Sequence, residues 1–544
     1  MGVTSKKSEN ETATATDFDA VIVGAGFAGM YMLHRLRQQG LRVRVVETGS
    51  GVGGTWYWNR YPGARCDVES MEYSYQFSEA LQQDWEWSER YSPQPEILAY
   101  ANHVADRFDL RGDIQFNTRV ESAHYNESNN SWSVKTSSGE NLTSRFCIMA
   151  TGCLSSANTP DFKGLESFKG ASHHTGNWPH SGVDFTGLRV GVIGSGSSAI
   201  QSIPLIANQA STLTVFQRTP NYSVPAQNRP LEQQEQQIIK SHYRELREQN
   251  KTMPAGFGVS HAREDAGSAL DLTPEQRQAR YEEYWELGGL LFMSAFDDTG
   301  VNADSNKTAA EFVRNKIRQV VDDPQTADLL CPDNTFGCKR LCADTRYFQT
   351  YNRPNVNLVN VKETPIDHFT AVGLVTGGVE YELDAVVFAT GFDAMTGALQ
   401  RIDIRGKGAL PLNEKWEAGP RTYLGLCTEA FPNLFTITGP GSPSVLTNML
   451  PSIEQHVDWI SECIAYLDKE GLSVIEADID AENDWVEHVN ELAEATLFPT
   501  CNSWYLGANV PGKPRVFMPH IGFPAYVEKC KDVVAEGYQG FSLS

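Results

Sequence analysis

The run Ala20-Val21-Ile22-Val23-Gly24-Ala25-Gly26-Phe27-Ala28-Gly29 decides the fold. Four apolar residues suited to a buried strand lead into glycines at GxGxxG spacing, and a helical pattern runs from Met30 to Gln39. The next strand, Val43 to Val46, ends in Glu47, 23 residues beyond Gly24. Gly24 allows the tight turn, Gly26 lets backbone approach a pyrophosphate, and Gly29 lets helix pack on strand. The anion sits at the helix N-terminus, where free N–H groups and the helix dipole favour negative charge. Glu47 is placed to accept hydrogen bonds from a ribose diol.

The arrangement recurs. Val190-Gly191-Val192-Ile193 leads into Gly194-Ser195-Gly196-Ser197-Ser198-Ala199, in which alanine replaces the last glycine. Here the following strand, Leu213 to Phe216, runs into Gln217-Arg218-Thr219, with Arg218 24 residues beyond Gly194. An arginine at that place pairs with an added 2′-phosphate. The chain is therefore expected to hold two dinucleotides, one of them phosphorylated, and to pass electrons between them.

At ~150 residues per domain, 544 residues allow roughly three or four domains or subdomains. The expected class is α/β, with two Rossmann-like dinucleotide-binding domains that are discontinuous in sequence. The first comprises 18–152 and 385–544, and the second 153–228 and 331–384. Residues 229–330, dense in Glu, Gln, Lys and Arg with apolar residues at helical spacing such as Tyr281, Tyr284 and Trp285, are expected to form a helical insertion in the second. Residues 1–17 are polar and lack an apolar signal core, so they are expected to be a disordered arm. Two apolar strands end in small-residue turns, Ala150-Thr151-Gly152 and Ala389-Thr390-Gly391, where backbone can pass close to a nucleotide.

The formal charge of −23 argues against nonspecific binding to nucleic acid or anionic lipid. No run approaches the ~18 apolar residues of a membrane span. The 10 cysteines include no Cys-x-x-Cys, so reduced thiols in a cytoplasmic protein are expected. No His/Cys cluster has metal-ligand spacing. A monomer or weak oligomer is expected.

Three further segments carry chemistry. Gly53-Gly54-Thr55-Trp56 precedes Tyr61-Pro62-Gly63 and Asp67. Its flanking Gly and Pro suggest a loop whose aromatics line a ligand site, with Asp67 able to position a cation. Phe168 to Pro179 lies where a domain linker belongs; its His174 reads equally as a satisfied hinge residue. Phe336-Gly337-Cys338-Lys339-Arg340 places two cations side by side, so that Lys339 can join Arg218 on a phosphate while Arg340 points elsewhere.

These residues resemble a known family, the flavin-dependent (type I) Baeyer–Villiger monooxygenases. Phe168, Gly170, His174, Trp178 and Pro179 match its F-x-G-x-x-x-H-x-x-x-W-P signature, and Gly53 to Asp67 matches G-G-x-W-x-x-x-x-Y-P-G-x-x-x-D. The resemblance runs from about residue 18 to the C-terminus. It is nearest the phenylacetone and steroid monooxygenase branch, through Gly439-Pro440-Gly441-Ser442-Pro443-Ser444 and Ser503-Trp504-Tyr505-Leu506-Gly507-Ala508-Asn509.

The resemblance implies FAD in the first domain, on Gly24, Gly26, Gly29, Glu47, Thr55, Trp56 and Asp67. It implies NADPH in the second, on Gly194, Gly196, Ser197, Ser198, Arg218, Thr219, Lys339 and Trp504. It implies oxidation of a ketone by molecular oxygen, carried as a flavin peroxide, to an ester or lactone. Arg340 and its partner Asp67 take the catalytic places, and Ser444, Val445, Leu446, Thr447 and Met449 line the substrate. Oxidation of amines or sulfides is the alternative, disfavoured by Trp178-Pro179. A flavin disulfide reductase is disfavoured by the lack of Cys-x-x-Cys.

Overall fold

The computed structural model describes residues 16–263 and 265–544. Residues 1–15 of the expected arm lie outside them. Asp17 is already anchored, accepting hydrogen bonds from the Thr143 backbone and hydroxyl at 2.9 and 2.8 Å.

The first cradle opens a parallel sheet. Strand Phe18–Val23 lies between Val43–Val46 and Asn141–Met149, parallel to both. Its last four residues are buried, because a strand covered on both faces must be apolar throughout. Strand Leu434–Thr436 pairs parallel with Cys147–Met149, so the late part of the chain completes the first domain. The helix after the cradle is Phe27–Gln38, which starts three residues earlier than the apolar pattern indicates and takes Gly29 into its first turn. The long helix Met449–Glu470 packs on it and ends at Gly471, whose φ of 70° stops the helix.

The second cradle opens a five-stranded, all-parallel sheet in the order Val356–Asn360, Thr212–Gln217, Arg189–Ile193, Ala385–Phe388, Ala171–His174. This corrects a boundary. Ala385–Phe388, assigned above to the first domain, pairs with Arg189–Ile193 and Ala171–His174 in the second sheet. The Phe168 to Pro179 segment is likewise more than a linker, since it supplies the edge strand.

Residues 229–330 are largely helical, but they do not form one insertion in the second domain. Helices Gln233–Ser241 and Tyr243–Asn250 pack on the first core through Ile239, Tyr243 and Leu246. Arg247 donates to the Glu72 carbonyl and the Ser74 hydroxyl, both at 2.7 Å. Helices Pro274–Leu287 and Ala303–Val320 instead bury Tyr281, Tyr284, Trp285 and Phe312 in the second core. Helical periodicity shows which face is apolar and not which core that face meets.

The cysteine expectation is also corrected. Cys338 and Cys501 form a disulfide across 163 residues with Cα atoms 6.1 Å apart. The other eight cysteines are unpaired. Among the described residues no helix is long and apolar enough to cross a membrane, and no group of three His, Cys, Asp or Glu is placed to hold a metal ion.

Candidate active site

The two cradles are built alike. Gly24 has φ 106°, and a Cβ there would lie 2.6 Å from the Ala150 carbonyl oxygen. Gly194 has φ 129°, and its Cβ would collide with the Ala389 carbonyl oxygen. Each first glycine thus presses on its own Ala-Thr-Gly turn. The middle glycines face open space, with nothing within 4 Å of a Cβ at Gly196 and only Gly54 within 4 Å of one at Gly26. Both helices start without a capping side chain and without an acid in the first turn. Their first N–H groups are left for an outside anion, which is the requirement of a pyrophosphate.

The residues after the next strands differ as their types demand. Glu47 is buried, and its carboxylate accepts from Ala25 N at 2.7 Å and Gly49 N at 2.6 Å. Burial raises its pKa while these N–H groups pull it back. Arg218 is exposed and lies close to Lys339. Burial, then the Arg218 charge, push the Lys339 ammonium below its ordinary pKa, although Asp333 opposes them. Asp333 itself pairs with Lys362 at 3.1 Å. Two cations held together, with no carboxylate ion-paired to either among the described residues, make an anion site, which fits a 2′-phosphate. Thr219 accepts from the Ser195 hydroxyl through its carbonyl, tying the cradle to this site. Ser197 opens the helix and touches the Cys342 thiol at 3.1 Å, with Ser198 beside it.

Arg340 points the other way. Its Nε and Nη2 donate to the two Asp67 oxygens, each at 2.8 Å, and Nη1 donates to the Val445 carbonyl at 2.9 Å. Burial lowers the pKa of this guanidinium, but the Asp67 charge and hydrogen bonds outweigh it and raise the pKa well above the ordinary arginine range. It stays charged at every working pH. The clamp joins three distant segments. The Val445 carbonyl had no sequence signal as an arginine acceptor; only its place in the Ser444–Met449 stretch was legible.

Val445 also belongs to a buried apolar cluster with Cys153, Ala394, Met395, Tyr505, Phe517 and Met518, against which Leu446, Met449 and Trp504 pack. Ser444 (φ 43°) and Met395 (φ 66°) are buried left-handed residues in contact, the Ser444 hydroxyl lying 3.7 Å from the Met395 sulfur. Such strain at two touching non-glycine residues marks a place where packing overrides backbone preference. Thr447 donates its hydroxyl to the Ser444 carbonyl at 2.8 Å and holds the turn. Trp504 rests on Tyr505 with ring centroids 4.3 Å apart. Tyr505 and Met395 were not singled out from sequence. Tyr505 had a signal in its neighbour Trp504, and Met395 had none.

Thr55 and Trp56 are not in a loop. Thr55–Trp58 is one helical turn, with Thr55 exposed and Trp56 buried in the first core, donating to the Tyr73 hydroxyl at 3.1 Å. Three adjacent aromatics need burial, and a helical turn directs Trp56 and Tyr57 inward. His174 is a joint. Its Nδ1 accepts from Gly176 N at 2.9 Å, so Nε2 carries the proton and faces the Asn158 carbonyl at 3.3 Å and Thr390 at 3.2 Å. Burial lowers its pKa, against the Asn158 carbonyl, in the sense that favours the neutral ring. A Cβ at Gly170 would lie 2.6 Å from the Asp384 carbonyl and strike the Phe168 ring, which explains the glycine. Trp178 is buried, its backbone N donating to the Trp58 carbonyl at 3.4 Å, and the Pro179 carbonyl accepts from Gly182 N at 3.0 Å. The signature stabilises the junction of the two folds and does not reach Arg340.

A family model described as pyridine nucleotide-disulphide oxidoreductase matches residues 21–266, which contain both cradles. The chain is 43% identical over 98% of its length to a Baeyer-Villiger monooxygenase of Pseudooceanicola batsensis, covering 97% of that protein. It is 42% identical over 97% of its length to phenazine N-monooxygenase of Lysobacter antibioticus, again covering 97% of that protein. A solved steroid monooxygenase bound to NADP is 53% identical, with a TM-score of 0.92, over 97% of this chain and 99% of that one. A second solved neighbour, a complex with FAD and NADP, has a TM-score of 0.94 at 41% identity, over 97% of this chain and 100% of that one. With two glycine cradles, a charge-fixed guanidinium clamped by Asp67 and Val445, and this similarity along nearly its whole length, the chain belongs to the Baeyer–Villiger monooxygenase family.

Proposed function

We propose that the protein uses NADPH and molecular oxygen to oxidise ketones to esters or lactones, with FAD on the first cradle and NADPH on the second. FAD, reduced by NADPH, supplies the oxygen chemistry; the protein supplies binding, orientation and charge. Gly24, Gly26 and Gly29 give the pyrophosphate of FAD its seat, and Glu47 takes the ribose. Gly194, Gly196, Ser197 and Ser198 seat the second dinucleotide, while Arg218, Thr219 and Lys339 hold its 2′-phosphate. Trp504 lies along the nicotinamide side.

The observation that carries the reading is the Arg340 clamp. Oxygen insertion beside a carbonyl builds negative charge on the former ketone oxygen. A guanidinium that is half-withdrawn from water, aimed by Asp67 and the Val445 carbonyl and unable to lose its proton, stabilises that charge without reorganising. The part-exposed Leu446 and Met449, next to Val445, suit an apolar ketone body, whether cyclic, aryl or steroid-like. We read the protein as cytoplasmic and as a monomer or weak oligomer; its need for reduced nicotinamide supports the compartment.

Arg340→Ala tests this. Flavin should stay bound and be reduced by NADPH, while ester formation falls roughly 10²–10³-fold. A ketone panel under oxygen-18 gas, read by mass spectrometry, should show one labelled atom per product. Unchanged product yield from the variant refutes the role. The N-monooxygenase relative keeps one second reading alive, oxidation of a heteroatom. Exclusive amine oxidation with no ketone turnover would establish it instead.

A further inference from the structure

The Cys338–Cys501 pair lies outside the cradles and the clamp. Cys338 immediately precedes Lys339 and Arg340, and Cys501 stands three residues before Trp504. The bond therefore joins the loop bearing both site cations to the segment bearing Trp504 and Tyr505. We propose that this pair is a reversible thiol–disulfide site that clasps the Trp504 segment over the dinucleotide. The functional consequence rests on the reading of Trp504 given above.

The segment depends on such ties. From Phe498 to Gly522 it forms only two single 3₁₀ turns, Phe498–Thr500 and Trp504–Leu506, with no longer helix or strand of its own. Its anchors fall on both folds. Within the segment, Met518 N donates to the Tyr505 carbonyl at 3.0 Å; outwards, Gly441 N donates to the Met518 carbonyl at 2.7 Å. Asn509 donates to the Phe392 carbonyl at 2.6 Å, and Lys513 pairs with Asp393 at 2.5 Å. Towards the cation loop the non-covalent ties are an exposed Thr500–Thr335 hydroxyl bond of 2.8 Å and, further along, the buried Tyr505 side chain against Arg340. Opening the disulfide leaves the Cys501 end of that edge on a bond water can replace. The other edges hold, so the segment swings and does not unfold.

The two sulfurs differ in access. Cys501 is partly exposed, whereas Cys338 is 1% exposed and accepts from Asn334 Nδ2 at 3.2 Å. An oxidant meets Cys501 first, and Cys338 is the resolving thiol. Seven of the eight remaining cysteines are buried, which keeps oxidation selective. The oxidant is a hydroperoxide, ROOH. The Cys501 thiolate attacks the outer oxygen, the O–O bond breaks, and ROH leaves with a sulfenic acid on Cys501. Cys338 sulfur attacks that sulfur and displaces water. Both thiol protons end in the products, and the two electrons lost by the sulfurs reduce the O–O bond. A dithiol reverses the step by exchange.

The test uses the flavin-loaded enzyme, treated with hydrogen peroxide or with a dithiol, beside Cys501→Ser and Cys338→Ser. Peptide mapping of the peroxide-treated wild type should find residues 338 and 501 cross-linked, and the dithiol should free both. With NADP present, limited proteolysis within 498–520 should be roughly tenfold faster for the reduced enzyme and for both variants, because cleavage tracks the open population. The share of NADPH oxidised without ester should rise several-fold in the same samples, and the dithiol should leave the variants unaffected. Absence of the cross-link after peroxide overturns the proposal, as does equal proteolysis of oxidised and reduced enzyme. Proteolysis and mapping need no turnover, so an enzyme that makes no ester from any ketone defeats the functional reading while these two still decide the clasp.

Discussion

The first and second cradles share a plan and part company at two positions. In the first, a Cβ at Gly29 would fall on the Gly24 carbonyl oxygen, so helix and turn touch and only glycine fits. In the second, Ala199 occupies the matching place and is fully buried, so that helix stands far enough off to admit a methyl group. The first ends in a buried carboxylate locked to its own loop, and the second in an exposed arginine beside a lysine. A tight, self-bonded cradle suits a cofactor that stays; a looser one with exposed cations suits a cofactor that enters and leaves. Residence, on this comparison, is set by how far the site is closed by its own backbone.

The largest expected effect follows from closing the first cradle. Gly29→Ala drives a methyl group into the Gly24 carbonyl oxygen, backbone that cannot yield, a clash well beyond the ~1–3 kcal/mol of ordinary overpacking, at the seat of the pyrophosphate. The purified variant should lose most of its yellow absorbance. Stoichiometric flavin in that protein would break the comparison.

Removing the exposed cations comes next. Arg218→Ala with Lys339→Ala removes two charge-assisted contacts of ~1.5–3 kcal/mol each, so the KM for NADPH should rise roughly 10²-fold or more. Flavin content should hold, and the preference over NADH should collapse. An unchanged NADPH-to-NADH ratio would place the 2′-phosphate elsewhere.

Each half also buries a carboxyl whose pKa is raised. Burial lifts Glu454, on the long helix of the first fold, to about 7 against the pull of Gln76 and Phe77 N–H groups. Burial lifts Asp344, in the second, to about 6 against its bonds from Ser223 and Tyr347. A raised folded-state value means that the folded protein holds the proton more tightly. The associated stability is complete below the ordinary carboxylate range and is lost as pH rises through about 6 and then about 7. Stability should therefore fall as pH rises from the ordinary carboxylate range to about 7, by ~3 kcal/mol for Glu454, and the melting temperature should fall with it. Glu454→Gln should flatten the upper part of the fall and Asp344→Asn the lower. A Tm that climbs steadily across the window in the wild type would contradict this.

The smallest effect sharpens the contrast. Ala199→Gly, which restores the first cradle's residue in the second, should cost about 0.5–1 kcal/mol of stability and leave the KM for NADPH within roughly threefold. A large gain in NADPH retention would show that one methyl group alone sets residence.

What the sequence determined by itself was local. Strand, glycine turn and helix follow from short-range backbone geometry, and Glu47 against Arg218 follows from counting along one βαβ unit. The Arg340–Asp67 partnership came from resemblance, because the two stand 273 residues apart and no spacing rule links them. Only the tertiary structure decided that Val445 offers its carbonyl to Arg340, that Cys338 meets Cys501, that Ala385–Phe388 sits in the second sheet and that the helical region splits between two cores. Each is a contact between distant segments. An apolar helix face or a lone thiol states that it needs a partner, and long-range packing selects which one.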